Sequence, residues 1–162
     1  MRSHPLTKLQ QVALLTLPFS LTLLLPATAE DAIFGQISLS PGFTPPTGII
    51  TGYTSGSTSL PAIVANNDYK GNKCLGFADK APDYKMVLQQ DFSKLQVSIN
   101  SGGKDTTLAI MGPDRKIRCG DDTGSSKDAS IVDTNWKAGD YSIWVGSIEP
   151  GNQWNYKLTV QQ

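Results

Sequence analysis

The stretch Lys94-Leu95-Gln96-Val97-Ser98-Ile99-Asn100 alternates polar and apolar side chains without a break over seven residues. A helix places its apolar side chains at three- and four-residue spacing, whereas a strand with one face in a core and one in water places them at every second position. This stretch is therefore a half-buried strand. The same period recurs at Thr107-Leu108-Ala109-Ile110, at Tyr141-Ser142-Ile143-Trp144-Val145 and at Tyr156-Lys157-Leu158-Thr159-Val160. Between these runs lie Ser101-Gly102-Gly103-Lys104-Asp105, Gly112-Pro113-Asp114-Arg115, Gly120-Asp121-Asp122-Thr123-Gly124 and Lys137-Ala138-Gly139-Asp140, each rich in the residues that chain reversal requires. No segment of eleven or more residues has convincing helical periodicity. Short strands at roughly ten-residue spacing predict an all-β fold, an antiparallel β-sandwich of jelly-roll or Greek-key type.

Residues 1–29 have a different character. Arg2 and Lys8 precede a mostly apolar run from Val12 to Leu25, and Ala27-Thr28-Ala29 follows as an A-x-A cleavage site. The pattern predicts a secretory signal-peptide helix, because the run carries Pro18 and is shorter than the roughly 20 residues of a membrane span. No lipid-anchoring Cys follows it. The mature protein is expected to be residues 30–162, secreted or periplasmic, with no stable membrane anchor.

Cleavage changes the charge and the chemistry. The whole chain balances 14 basic against 14 acidic residues; without Arg2 and Lys8 the balance is 12 against 14. A weakly acidic chain is not a nucleic-acid binder. The single histidine, His4, leaves with the signal peptide. Ser-His-Asp and Cys-His nucleophiles and His-containing metal sites are thereby excluded from the mature protein. Cys74 and Cys119 remain, and two cysteines in an exported chain predict one disulfide. Its loop of 46 residues would add ~4 kcal/mol in the chain-entropy account.

Residues 30–61 are rich in Gly, Pro, Ser and Thr, which favours loops and short edge strands, with Pro41, Pro45 and Pro46 barring a central strand. Phe34, Ile37, Leu39, Phe43, Ile49, Ile50 and Tyr53 are too many apolar side chains for a solvated tether. The expectation is an irregular N-terminal segment packed on the outside of a single domain spanning 30–162.

Across that domain, Cys74-Leu75-Gly76-Phe77-Ala78, Ala81-Pro82-Asp83, Asp105-Thr106-Thr107-Leu108, Gly112-Pro113-Asp114, Cys119-Gly120-Asp121-Asp122, Gly139-Asp140-Tyr141-Ser142-Ile143-Trp144-Val145-Gly146 and Tyr156-Lys157-Leu158 occur in that order. The pattern resembles the bacterial pre-peptidase C-terminal (PPC) domain family, in a stand-alone secreted form. The resemblance implies a small β-sandwich, usually attached to secreted peptidases and in some members stabilised by calcium. The expectation here is a domain without an attached peptidase.

Two constellations are candidate sites. Asp105, Asp121, Asp122 and Asp128, with Asp133 nearby, form an acidic group. Adjacent carboxylates repel unless protonated or bridged by a cation, and Ca²⁺ takes six to eight oxygen ligands. Calcium is the one cofactor expected. Both Asp121 and Asp122 can face one ion only if Gly120 and Gly124 bend the loop. The competing expectation is a solvated turn whose aspartates bond their own backbone. Trp136, Trp144 and Trp154 are candidate ligand-binding platforms. Of these, Trp136 and Trp154, in turn regions, are the better candidates for exposure, whereas Trp144 lies on the strand face opposite Tyr141, Ile143 and Val145. Tyr141, two residues after Gly139, is expected to pack as a tyrosine corner.

A hydrolase without histidine would need paired carboxylates across a cleft, and no phosphate-loop, nucleophile-elbow or dinucleotide motif occurs. The expected function is a non-catalytic binding or accessory module that contacts extracellular protein or polysaccharide. A regulatory or targeting domain for a separate secreted peptidase is the alternative, and a small hydrolase the remote one.

Overall fold

The computed structural model describes residue 1 and residues 31–162. The predicted signal-peptide helix, its cleavage site and His4 lie outside the described residues. No helix among the described residues is long and apolar enough to cross a membrane.

Among the described residues, eleven strands form two packed sheets, with one short helix beside them. The strands are β1 (Gly35–Leu39), β2 (Ile49–Tyr53), β3 (Thr58–Ser59), β4 (Phe77–Ala78), β5 (Tyr84–Leu88), β6 (Phe92–Asn100), β7 (Thr106–Met111), β8 (Ile117–Gly120), β9 (Ser130–Trp136), β10 (Gly139–Ser147) and β11 (Asn155–Gln161), with α1 (Leu60–Ile63) after β3. The smaller sheet runs β2-β11-β6-β9, wholly antiparallel. In the larger sheet β10 is central. It pairs with β5 and then β4 on one side and with β7 on the other, while β1, β3 and β8 lie outermost. The fold is an all-β sandwich.

Alternation decides what lies between the sheets. From β6, Leu95, Val97 and Ile99 are buried; Leu158 and Val160 of β11 join them from beside it, and Tyr141, Ile143 and Val145 of β10 face them from the other sheet. The Tyr141 hydroxyl donates to the Lys137 carbonyl at 2.8 Å, so this buried phenol keeps a polar partner as it closes the turn.

The 30–61 segment, expected to give loops and short edge strands, contributes β1 as an edge strand of the larger sheet and β2 as an edge strand of the smaller one. One pairing departs from the antiparallel pattern, since β1 pairs with β5 in parallel register, Ile37 opposite Met86. The physical reason is connectivity: β1 and β2 belong to different sheets, so β1 is free of the hairpin geometry that forces antiparallel neighbours.

A second cluster covers the outer face of the larger sheet. Cys74 and Cys119 form the expected disulfide, with a Cα–Cα distance of 5.2 Å. Around it pack Leu60 of α1, Ala78, Ala109 and Trp144. The bridge ties the 66–75 loop to β8, and Cys74 N–H donates to the Asn66 carbonyl at 3.0 Å within that loop.

Candidate functional site

Strands β8 and β9 are the edges of the two sheets on one flank of the sandwich. They meet at Gly120 and Ser130, where a Cβ on Gly120 would strike the Ser130 carbonyl. A glycine is what allows the two backbones this close an approach. Two groups of carboxylates lie on either side of that contact.

The first is Asp105, Asp121 and Asp122, each of which offers a carboxylate oxygen within 4.8 Å of the others. Asp105 precedes β7, and Asp121-Asp122 follow β8, so the pairing of β7 with β8 brings them together. Gly124, with φ of 62°, turns the loop that carries the pair. Asp121 Oδ1 is buried with no hydrogen-bond partner. Burial pushes the Asp121 carboxyl above its usual range, and the charges of Asp122 and Asp105 add to the effect. Lys127 Nζ reaches Asp105 at 2.6 Å from an exposed position, the one cation that touches the group among the described residues.

Asp128 does not belong to it. Its Oδ1 accepts from Ser101 N–H at 2.8 Å and from the Ser101 hydroxyl, and its Oδ2 accepts from Gly103 N–H at 3.2 Å. Asp128 is therefore a clamp on the 101–104 turn. Short acidic side chains satisfy nearby backbone donors in this way, and that accounts for the difference from the sequence expectation.

The second group surrounds Asp133, which is buried. Its carboxylate accepts from Arg118 Nε at 2.6 Å, from Lys70 Nζ at 2.5 Å and from the Tyr69 hydroxyl at 2.7 and 2.8 Å. Burial alone would raise its pKa, but Lys70, Tyr69 and Arg118 together hold it well below the usual carboxylate range. Arg118 is also buried, with its guanidinium 4.0 Å from the centre of the Trp136 ring and 5.5 Å from that of Tyr69. The pair is desolvated, saturated and stacked between aromatic faces.

Between these groups opens a cleft of about 440 Å³, lined by β8 from Arg118 to Gly120, by β9 from Ser130 to Asp133, and by residues of the 68–75 loop. Asp68, buried in that loop, accepts from the backbone N–H of Lys70, Asn72 and Cys119 and so fixes the loop onto β8. Sequence reasoning did not find the cleft. Its signal was the charged residues Arg118 and Asp133 at inward-facing strand positions.

The chain is similar in fold to solved structures of two proteins. With the pre-peptidase C-terminal domain of a collagenase from Bacillus anthracis it has 15% identity and a TM-score of 0.45, over 78% of this chain and 94% of that one. With CorA, a surface-associated copper-binding protein of Methylomicrobium album BG8, it has 7% identity and a TM-score of 0.42, over 78% and 98% of the two chains. No protein-family model and no curated protein sequence matches the chain.

The tryptophans are not exposed platforms. Trp136 is fully buried, its ring 5.5 Å from that of Tyr141 and its Nε1 donating to the Asp133 carbonyl. Asn135, with φ of 58°, departs from extended backbone just before Trp136, so a turn-like sequence context still delivers an inward-facing side chain. Trp144 is buried beside the disulfide under α1, with Nε1 donating to the Lys80 carbonyl at 3.1 Å. Trp154 is half-buried, and its backbone N–H donates to Thr54 Oγ1.

Proposed function

We propose that the protein is a secreted, non-catalytic accessory module that contacts an extracellular protein or polysaccharide, and that Ca²⁺ bound by Asp105, Asp121 and Asp122 stabilises it. The single observation that carries the calcium reading is the buried, unpartnered Asp121 Oδ1 within a three-carboxylate group. Two oxygens bound to one Ca²⁺ lie no more than about 5 Å apart, and these three carboxylates meet that limit at 4.8 Å. A hard dication would supply the missing partner for Asp121 and relieve the repulsion that raises its pKa. Water and backbone carbonyls would complete the shell.

The disulfide supports an oxidising destination, because such bonds persist outside the reducing cytosol. The cleft beside the calcium group supports a binding role. Co-sedimentation of the purified protein with extracellular polysaccharides and with immobilised secreted proteins, in Ca²⁺ and in chelator, tests the reading. Retention by one class of target that weakens in chelator is expected. Turnover of a glycan or peptide by the purified protein would overturn the non-catalytic part, and retention indifferent to Ca²⁺ would overturn the calcium part.

A further inference from the structure

The register of β9 leaves part of its backbone without a strand partner. Ile99 N–H donates to the Ala129 carbonyl, which makes that pair a hydrogen-bonded one. In an antiparallel ladder such pairs alternate, so Ile131 and Asp133 also bond inward to β6 while Ser130, Val132 and Thr134 turn their backbone groups outward. Ser130 N–H is taken by the Asp121 carbonyl at 3.2 Å. By contrast, the outer edge of β8 is closed, since Ile117 accepts from Tyr69 N–H and Cys119 donates to Asp68. The edge that remains open is therefore the stretch of β9 around Val132.

The surface beside this edge has a defined chemistry. Val132 is 51% exposed, and Tyr69 and Leu75 across the cleft are also exposed, although large apolar residues elsewhere are mostly buried. Acidic and basic side chains lie at different ends of the cleft: Asp121 lines it beside Ser130, whereas Lys70 reaches Asp133 farther along β9. Lys70 and Lys73 are exposed there, and Lys116 lies 4.3 Å from the Tyr69 ring centre. At the Asp133 end the acids Asp68 and Asp133 are buried and already bonded to donors of the protein itself. An open strand edge, exposed apolar side chains on both sides of the cleft and lysines at its Asp133 end together match an extended polypeptide that bears an acidic side chain.

We infer that the β9 edge and the adjoining cleft bind an extended acidic segment of a partner protein by strand addition at Val132, with Lys70, Lys73 and Lys116 receiving its carboxylates. This rests on the proposed binding role and names its partner class. A strand added there would give Val132 the backbone partners it lacks. The lysines would select acidic over basic sequences, with attraction that salt screens.

The test uses the purified ¹⁵N-labelled protein and two blocked hexapeptides of alternating Thr and Val, one with a central Glu and the other with Lys in its place. The Glu peptide is expected to bind at least about tenfold more tightly, with shift changes confined to β9 and the 68–75 loop, and Lys73→Glu is expected to cut that preference to about threefold or less. Val132→Pro, at an outward-facing edge position where proline is tolerated, removes one ladder donor and is expected to abolish binding, whereas Val132→Ala retains it. Thermal melts of each variant distinguish lost binding from lost fold, and should Val132→Pro fail to fold, the Lys73→Glu result decides. Equal affinity for the two peptides, or shift changes elsewhere, would overturn the inference. Binding of an oligouronate at this cleft without binding of the Glu peptide would also overturn it while leaving the broader accessory role intact, and retention by no extracellular target would count against that role itself.

Discussion

Asp121 and Asp133 occupy the same flank of the sandwich and have opposite electrostatics. Both are aspartates beside the Gly120–Ser130 contact, the first just beyond β8 and the second within β9. Asp133 is buried, yet two cations and a phenol hold it ionised. Asp121 has an orphan oxygen and two like charges for neighbours. Burial disfavours a charge in both places, and only the partners differ. One site is complete within the chain and acts as a structural brace. The other has no such partners, and that is the observation behind the proposed Ca²⁺ site.

Removing the partner from the complete site should have the largest effect. Asp133→Asn leaves Arg118 buried between Trp136 and Tyr69 without its counter-charge. A loss of ~3–5 kcal/mol is expected from urea unfolding, the usual cost of stranding one member of a buried pair. A loss near zero would erase the contrast with Asp121.

Another buried aspartate sharpens it through pH. Asp83, just before β5, has no cation beside it among the described residues, and burial pushes its carboxyl up to about 7 even though Val145 N–H donates to it at 2.7 Å. The folded state therefore holds this proton more tightly than the unfolded chain does, and stability should fall as pH rises from about 4 to about 7. The effect is on the order of 3 kcal/mol. Asp133 has the reverse sign, for its contribution is present above the unfolded carboxylate range and lost as pH falls through it. Asp83→Asn should flatten the neutral limb of the stability–pH curve and leave the acid limb to Asp133. An unchanged neutral limb would remove Asp83 from the account.

The smallest expected effect is at the Asp121 site without metal. In chelator, Asp121→Asn removes one of three mutually repelling charges and should raise stability by up to ~1 kcal/mol. A loss comparable to that at Asp133 would mean that the two sites are alike.

The same contrast explains how much of the molecule could be read in its sequence. Strands β6, β7, β10 and β11 were legible because their inward apolar side chains recur at every second position; in β6 and β11 the other face is largely open to water, whereas in β7 and β10 Ala109 and Trp144 lie in the second cluster. Strands β8 and β9 were not, since Arg118 and Asp133 occupy inward-facing positions where the period-two pattern requires apolar residues. Their burial depends on finding each other across the sandwich, and no local window contains both. The grouping of Asp105 with Asp121 and Asp122 was legible because turns on either side of neighbouring strands bring them together. Asp128 was misassigned because its bonds are to backbone donors of a turn more than twenty positions away. Trp136 was misread because Asn135 adopts a left-handed backbone that only the fold displays.

The central proposal is that Asp121 takes a cation while Asp133 does not, and calorimetric melting of the protein in excess Ca²⁺ and in chelator tests it most directly. At a hundredfold excess over the dissociation constant the stabilisation is ~2.7 kcal/mol, about 8 °C in Tm for a domain of this size. Asp121→Asn should abolish the shift and Asp128→Ala should retain it. Identical melts with and without Ca²⁺, or a shift that survives Asp121→Asn, would contradict it.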